Sequence, residues 1–488
     1  MHRIEKDITG HLEIDRDALY GIHSLRAKQN FPDHTRFSVE WYKAMGTIKK
    51  CIYLTCRDFN HAVENKFNKF PQALKKISVE KLDAMIHAAQ QVEDGNHFEH
   101  FIVPAISGGA GTSINMNVNE IISNLALLEL NRKPGDYDVI HPIEHANIYQ
   151  STNDVVPTSL KVALLRLLEG LEKDINTLRA GIEKLEKQYR YTLRIGFTQM
   201  QEAVPTTFGR LLSTYNEALS RDWWRVSKCF ERIKTVNLGG SAVGTGLAVP
   251  RYFIFETIKK IQQQTGLPVS KAENLADQTS NLDSLVEIHA ILKAHAVNLE
   301  KMTNDFRLLS SDLAKPKTLD IPAKQTGSSI MPGKINPVIT EFTVSATHRI
   351  YANDSIVSSL SAQGCLDLNA YLPVIGHSMI ESITLLQACN KTIHENLVAG
   401  ISIHEGASQH QVLSSPGITA ALVPYIGYSS ATELAVYMKG HQADIFEANR
   451  ILQMVPEDML TAILKPENII KEGFSIKDIL DYEKNKGE

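Results

Sequence analysis

Apolar residues recur at helical spacing in the middle of the chain. Leu164, Leu168, Leu171, Ile175, Leu178, Ile182 and Leu185 step by alternating fours and threes, the seam of a long bundled helix. Leu285, Ile288, Leu292, His295, Leu299, Met302, Phe306 and Leu309 form a second seam with one polar member. A hydrogen-bonded core histidine is the expected role of His295. A third helical stretch runs from about Met379 to Val398. Residues 1–150 alternate short helical patterns with Gly- and Pro-bearing turns, and from residue 401 the texture returns to short helices and loops. The pattern predicts three parts: a mostly helical N-terminal domain (1–150), a central bundle of long helices (151–400) and a small helical C-terminal domain (401–488). Runs that alternate apolar and polar residues are few, so an all-α, mostly helical class with very little strand is expected. Helices with apolar residues beyond one seam bury the remainder against other subunits, which places the expected association surface between about 150 and 400.

Composition narrows the class of partner. A chain of 488 residues is long enough for two or three cored domains, and 43% hydrophobic with 22% charged residues is ordinary for a globular protein. The formal charge of -4 and the scattered Lys and Arg give no basic stripe for nucleic acid. No apolar run reaches the length of a membrane span, and the N-terminal MHRIEKDITG is charged where a signal peptide needs an apolar stretch. A cytoplasmic protein is expected. Five dispersed cysteines without a CxxC pair read as structural thiols rather than a disulfide framework.

Three motifs invite readings that their context does not support. Gly239-Gly240-Ser241-Ala242-Val243-Gly244 and Gly108-Gly109-Ala110-Gly111 resemble phosphate loops. The first has no strand and Rossmann unit around it, and the second lacks Gly-Lys-Ser/Thr. His141 and His145 lie four apart, but Pro142 sits between them and the order is not HExxH, so a structural or substrate-orienting role is expected and no metal site.

The densest chemistry lies in Gln325–Pro337, QTGSSIMPGKINP. It concentrates two hydroxyls, an amine and an amide on a loop punctuated by Gly327, Pro332, Gly333 and Pro337. Many donors with few acids suit a lid that closes over a carboxylate. GSSIMPGKINP resembles the signature loop of the aspartase/fumarase superfamily. Gly108–Glu120 (GGAGTSINMNVNE), Gln150–Asp154 (QSTND) and Gly196–Pro205 (GFTQMQEAVP) resemble its other active-site regions, in the same order. YGIHSLRAKQNF, ENLADQTSNLD and NDFRLLSS are similar to aspartase sequence as well, so the likeness runs from about Arg3 to Glu467.

The resemblance implies a three-domain, mostly helical subunit, a homotetramer, active sites assembled from three subunits, and a small amino-dicarboxylate substrate; no cofactor and no metal ligand set are expected. It implies Ser328 as the catalytic base, acting as an alkoxide. Thr112, Ser151, Thr152 and Ser329 become donors to the β-carboxylate. Lys334 and Asn336 hold the α-carboxylate, and Asn153 and Thr198, with Gln199 beside them, orient the amino group. Arg26 matches an N-terminal arginine that aspartases place near the site. Glu341 supports the loop.

One position separates the superfamily's reactions. Fumarases carry Thr-His where this chain has Thr198-Gln199, which leaves Glu341 without its histidine. Glutamine has no proton to exchange near neutral pH, and loss of hydroxide needs a general acid more than loss of a protonated amine does. The expected reaction is therefore deamination of L-aspartate to fumarate. Phe197, Tyr149, Val155-Val156 and KEGFSIKDIL depart from the common aspartase pattern, and these changes stand to enlarge or reshape the amine side of the pocket. The runner-up is release of a bulkier amine, such as trimethylamine from an ergothioneine-type betaine, with fumarase behind it. A silent structural relative is the non-enzyme alternative; joint retention of Ser328, Lys334, Asn336 and Thr112 argues against it.

Overall fold

The computed structural model describes residues 2–486. A hairpin, β1 (His2–Asp7) with β2 (Gly10–Asp15), leads into α1 (Ile22–Asn30), α2 (Val39–Phe67), α3 (Val79–Glu93) and α4 (Thr112–Glu129). Next come α5 (Thr152–Gln188), the hairpin β3 (Leu193–Thr198) and β4 (Gln201–Thr207), α6 (Phe208–Ile233) and β5 (Thr235–Val236). These are followed by α7 (Arg251–Thr265), β6 (Ser270–Lys271), the single turn α8 (Asp277–Ser280), α9 (Asp283–Leu309) and β7 (Leu319–Asp320). The chain continues with α10 (Val338–Ser361), α11 (Leu372–Thr392) and β8 (Ser402–Ile403). It ends in α12 (Glu405–Ser414), α13 (Val423–His441), α14 (Ile445–Leu452), α15 (Glu457–Ile463), α16 (Pro466–Ile469) and α17 (Ile476–Lys486).

The mostly helical, multi-helix bundle class is as expected, and the strands among the described residues form only two-stranded pairs. Both seams are buried: Leu164 through Ile182 on α5 are fully enclosed, as are Ile288, Leu292, His295, Leu299 and Phe306 on α9. His295 is the core histidine expected. Its Nδ1 lies 2.9 Å from Asp222 Oδ2, and Asn390 Nδ2 donates to its Nε2 at 2.8 Å, so the proton sits on Nδ1. The N-terminal part departs from the expected short helices: α2 runs for 29 residues and α4 for 18. Their apolar residues are not confined to one stripe, since α4 is buried from Ile114 through Leu127, and a helix buried all round shows little periodicity.

The described chain falls into two compact units. Among the described residues, one comprises 2–172, 224–294 and 348–386; the other comprises 173–223, 295–347 and 387–486. Helices α5, α6, α9, α10 and α11 contribute residues to both. In the first unit, Glu120 of α4 caps α1. Its carboxylate accepts the N–H groups of Gly21 at 2.7 Å and His23 at 2.9 Å, and the Ser24 hydroxyl. In the second, Leu193 and Ile195 of β3 share a core with Val412, Ile418, Leu422, Leu434 and Leu460, so the β3–β4 hairpin is part of the C-terminal helical cluster.

Candidate active site

In the first unit the N-terminal turns of α4 and α5 lie side by side. Asn115 Nδ2 on α4 donates to Thr152 Oγ1 on α5 at 3.2 Å. Gly111 caps α4 with φ +89 and passes over Val156, whose Cγ1 would lie 3.1 Å from any Cβ placed there. Thr112 and Thr152, the first residues of the two helices, thus stand at two adjoining positive helix ends, a setting that favours a carboxylate. Thr112 is exposed; Ser151, Thr152 and Asn153 are half-buried.

The start of α5 is fixed by side chains. Ser151 Oγ accepts from Asn153 N at 3.2 Å, and Asp154 Oδ1 accepts from Ser151 N at 3.0 Å. Pro157 has no N–H for the Asn153 carbonyl four residues back, and Asn237 Nδ2 supplies the missing donor at 2.9 Å. Asn153 Nδ2 donates to Ala242 O at 2.8 Å, and Asp154 Oδ2 accepts from Ser241 N at 2.9 Å. The glycine-rich segment 239–246 is therefore a brace for this helix start. Its Gly244, at φ +82, leaves no room for a side chain, because a Cβ would lie 2.2 Å from Ala276 Cα. Burial pushes the Asp154 carboxyl up to about 7, against the opposing pull of its backbone N–H donors.

Beneath these residues lies a group the sequence did not reveal. Lys49 of α2 is fully buried, and its Nζ donates to Asn115 Oδ1, Asn119 Oδ1 and Gln150 Oε1 at 2.7, 2.6 and 2.6 Å, with Asn147 Oδ1 at 3.3 Å. Burial pulls its pKa well down while Asp154 opposes the shift, and four amide oxygens, which can only accept, favour the ammonium. Nothing in the local sequence marks a lysine inside an apolar helix for such a cage, though the asparagines spaced through GTSINMNVNE were a usable signal.

In the second unit, the Gln325–Pro337 loop is closed at its neck. Thr326 pairs with Ile335 in an antiparallel bridge, Gly327 N donates to Lys334 O at 2.7 Å, and Asn336 Nδ2 donates to Gly327 O at 2.8 Å. A Cβ on Gly327 would lie 2.7 Å from Asn336 Cγ, so the neck closes only with glycine there. At the tip, Ser328 Oγ accepts the N–H groups of Ile330 at 3.2 Å and Met331 at 2.9 Å. Two donors on one hydroxyl oxygen favour its anion. Ser329 and Lys334 are exposed, Ser328 and Asn336 half-buried, and residues 321–340 contain no Asp or Glu. Glu341 lies in the first turn of α10, 4.0 Å from Arg307 Nη2.

Thr198 and Gln199 occupy the tip of the β3–β4 hairpin. Gln199 and Met200 form its two-residue turn with φ of 54 and 62, a left-handed geometry that usually calls for Asn or Gly. The hairpin is anchored by Ser408 Oγ to Leu193 O at 2.7 Å and Ser415 Oγ to Glu202 Oε2 at 2.7 Å. Gln199, Phe197 and Met200 line a cavity of about 590 Å³ together with Arg194, Lys301 and Asp305. A second cavity of about 570 Å³ lies among the C-terminal helices, lined in part by Val204 and Pro205 of GFTQMQEAVP and by Lys471, Gly473, Phe474 and Asp478 of KEGFSIKDIL.

The remaining candidates are placed as follows. Arg26 is held by a bidentate pair with Asp7, Nε to Oδ2 at 2.7 Å and Nη2 to Oδ1 at 3.0 Å. His145 Nδ1 accepts from His141 N at 2.8 Å and His141 Nδ1 from Ile143 N at 3.1 Å, so these histidines stitch a turn. The Tyr149 ring packs 4.8 Å from Phe253 and 6.3 Å from Phe59, and Val155 and Val156 are fully buried. Among the described residues no cluster of three or more His, Cys, Asp or Glu is arranged to hold a metal, and no helix is long and apolar enough to cross a membrane.

Comparison with known proteins places this geometry in a family. A family model described as lyase matches residues 10–352. The chain is 34% identical over 485 residues to an aspartate ammonia-lyase of Bacillus subtilis, covering 98% of each. It is 35% identical to an aspartate ammonia-lyase of Helicobacter pylori, covering 96% of this chain and 98% of the relative. Among solved structures, a fumarate lyase:delta crystallin from Brucella melitensis superposes with TM-score 0.87 at 32% identity, covering 96% of this chain and 99% of that one. A class II fumarase from Schistosoma mansoni superposes with TM-score 0.86 at 25% identity, covering 97% and 100%. A lyase-family match over most of the chain, joined to full-length relatives above 30% identity, makes this protein a member of the aspartase/fumarase superfamily of lyases.

Proposed function

We propose that the protein is an aspartate ammonia-lyase, converting L-aspartate to fumarate and ammonium. The observation that carries this reading is Ser328 Oγ accepting two backbone N–H groups, at 3.2 and 2.9 Å, on a loop free of acids that also bears Lys334. A serine removes a proton from carbon only as its alkoxide, and preorganised donors with a nearby cation make that anion accessible.

The reaction begins as the Ser328 alkoxide takes a Cβ proton from L-aspartate. The electron pair left on Cβ delocalises into the β-carboxylate as a doubly charged aci-carboxylate. Thr112, Ser151, Thr152 and Ser329 donate to its oxygens, each such donor contributing about 3 kcal/mol in the transition state. Collapse of the aci-carboxylate forms the Cα=Cβ bond and expels the amine, which leaves as ammonium once it carries its three hydrogens and one more from solvent or Ser328. Lys334 and the second hydrogen of the Asn336 amide bind the α-carboxylate. No donor among the described residues takes Asn153 Oδ1, which leaves it to accept from the substrate ammonium alongside Thr198 and Gln199. Arg26, held by Asp7, is the N-terminal arginine that the resemblance places near the site.

On the same reading the chain acts as a cytoplasmic homotetramer of three-domain subunits, with domain boundaries near residues 150 and 400 and each site drawing segments from three subunits. Exposed Val297 and Leu308 on α9 and Phe342 on α10 support association through the long helices. A substrate panel tests the reading: L-aspartate, N-substituted aspartates and betaine-type amino acids, with the unsaturated acid and released amine quantified for each. Turnover confined to a bulky amine would replace aspartate as the substrate.

A further inference from the structure

In the proposed reaction the Thr152 hydroxyl is a donor, and the interior of the first unit contains a device that decides which way that hydroxyl points. Lys49 Nζ has three hydrogens and no acceptor, so every amide around it must turn its oxygen inward. For Asn115 this leaves the NH2 group facing outward. That group donates to Asn147 Oδ1 at 3.0 Å and to Thr152 Oγ1 at 3.2 Å, which uses both of its hydrogens. The network closes around these contacts: Asn147 Nδ2 donates to Gln150 O at 3.0 Å, and Gln150 Nε2 donates to Ala146 O at 3.1 Å. No amide of the cage can flip without setting an NH2 against the ammonium. Thr152 Oγ1 therefore accepts on its inner side, and no acceptor among the described residues takes its proton.

We propose that Lys49 and Asn115 are positioning residues that fix hydrogen-bond polarity: Lys49 orients the Asn115 amide, and Asn115 holds Thr152 as a donor toward the substrate β-carboxylate. The proposal rests on the reading of Thr152 as a substrate-binding residue. It differs from a general structural role because it depends on the direction of one hydrogen bond rather than on the presence of a packed side chain.

Two substitutions of equal charge separate these roles. Asn115→Asp and Asn119→Asp each put one carboxylate of amide shape beside Lys49. Asn119 Nδ2 reaches Asn147 Oδ1 and Met116 Sδ, at 3.2 and 3.7 Å, and does not reach Thr152. Asn115→Asp turns the inner donor into an acceptor, so Thr152 donates inward and is lost to the substrate. The expected result is a fall in kcat for L-aspartate of about 10²–10³-fold in Asn115→Asp, with Asn119→Asp close to wild type. Thr152→Val should reproduce the loss and add little to it in the Asn115→Asp background. Asn115→Leu guards against a folding defect in the Asp variant, since Lys49 keeps three acceptors for its three hydrogens. It leaves the Thr152 proton unclaimed, so it should retain more activity than Thr152→Val. Equal losses in the two Asp variants, full activity in Asn115→Asp, or a Leu variant as impaired as Thr152→Val would overturn the positioning role while Thr152→Val remains impaired. An inactive wild type or a fully active Thr152→Val would instead remove the underlying reading of Thr152, and the proposal with it.

Discussion

Ser328 Oγ accepts the backbone N–H of Met331 at 2.9 Å, across a loop whose neck is closed by Gly327 and Asn336. The interaction costs the loop no ion pair and leaves the serine oxygen with anion-stabilising donors already in place. Ser328→Ala removes that oxygen but keeps Lys334, Asn336 and the neck. If Ser328 takes the Cβ proton, kcat falls by several orders of magnitude while KM changes little, because the loss is felt in the transition state. Exchange of the Cβ hydrogen with solvent should disappear in parallel. Near-normal kcat would make the serine a loop residue only.

The Asp154 carboxyl gives the fold a pH dependence with a definite sign. Burial raises it from 3.8 to about 7. Between those values the folded chain holds a proton that the unfolded chain has lost, so its contribution to stability is complete at low pH and is lost as pH rises through about 7. Asp154→Asn cannot ionise. The stability of the wild type relative to this variant should fall by about 4 kcal/mol from pH 4 to pH 8. Thermal melts of both proteins across that range measure it, and a difference that stays flat or grows with pH would refute the assignment.

Assembly is open to a mixing test. Thr152→Ala and Lys334→Ala should each be inactive, and subunits mixed, dissociated and reassembled should recover part of the activity if the two residues serve one site from different chains. Sedimentation should give a tetramer at micromolar concentration. A fully active monomer would exclude the shared site.

How much of this was legible beforehand depends on where the signal sits. The seams of α5 and α9 were readable because each buries one stripe of a long helix. The length of α2 and α4 was not, because helices enclosed on all sides lose their period. The β1–β2 and β3–β4 hairpins were missed: the β3–β4 turn is built from Gln199 and Met200 rather than Asn-Gly, and a bulge at Gly196 breaks the alternation. In the site, the hydroxyls and Lys334 stood out as clustered chemistry. Lys49 did not, since its importance lies in amide oxygens from α4 and the 147–150 turn that only folding brings together. Tyr149 stands beside the candidate site residues in sequence, and only folding shows its ring packed against Phe253 and Phe59.

This lyase is expected to expel an amine and not hydroxide, since by resemblance Gln199 takes the place of the titratable histidine that would serve the second reaction. Purified protein incubated separately with L-aspartate and L-malate, with fumarate followed by its ultraviolet absorbance and ammonia by a coupled assay, distinguishes the two reactions. The prediction is equimolar fumarate and ammonia from L-aspartate, with no fumarate from L-malate. Robust turnover of L-malate with none of L-aspartate would contradict it.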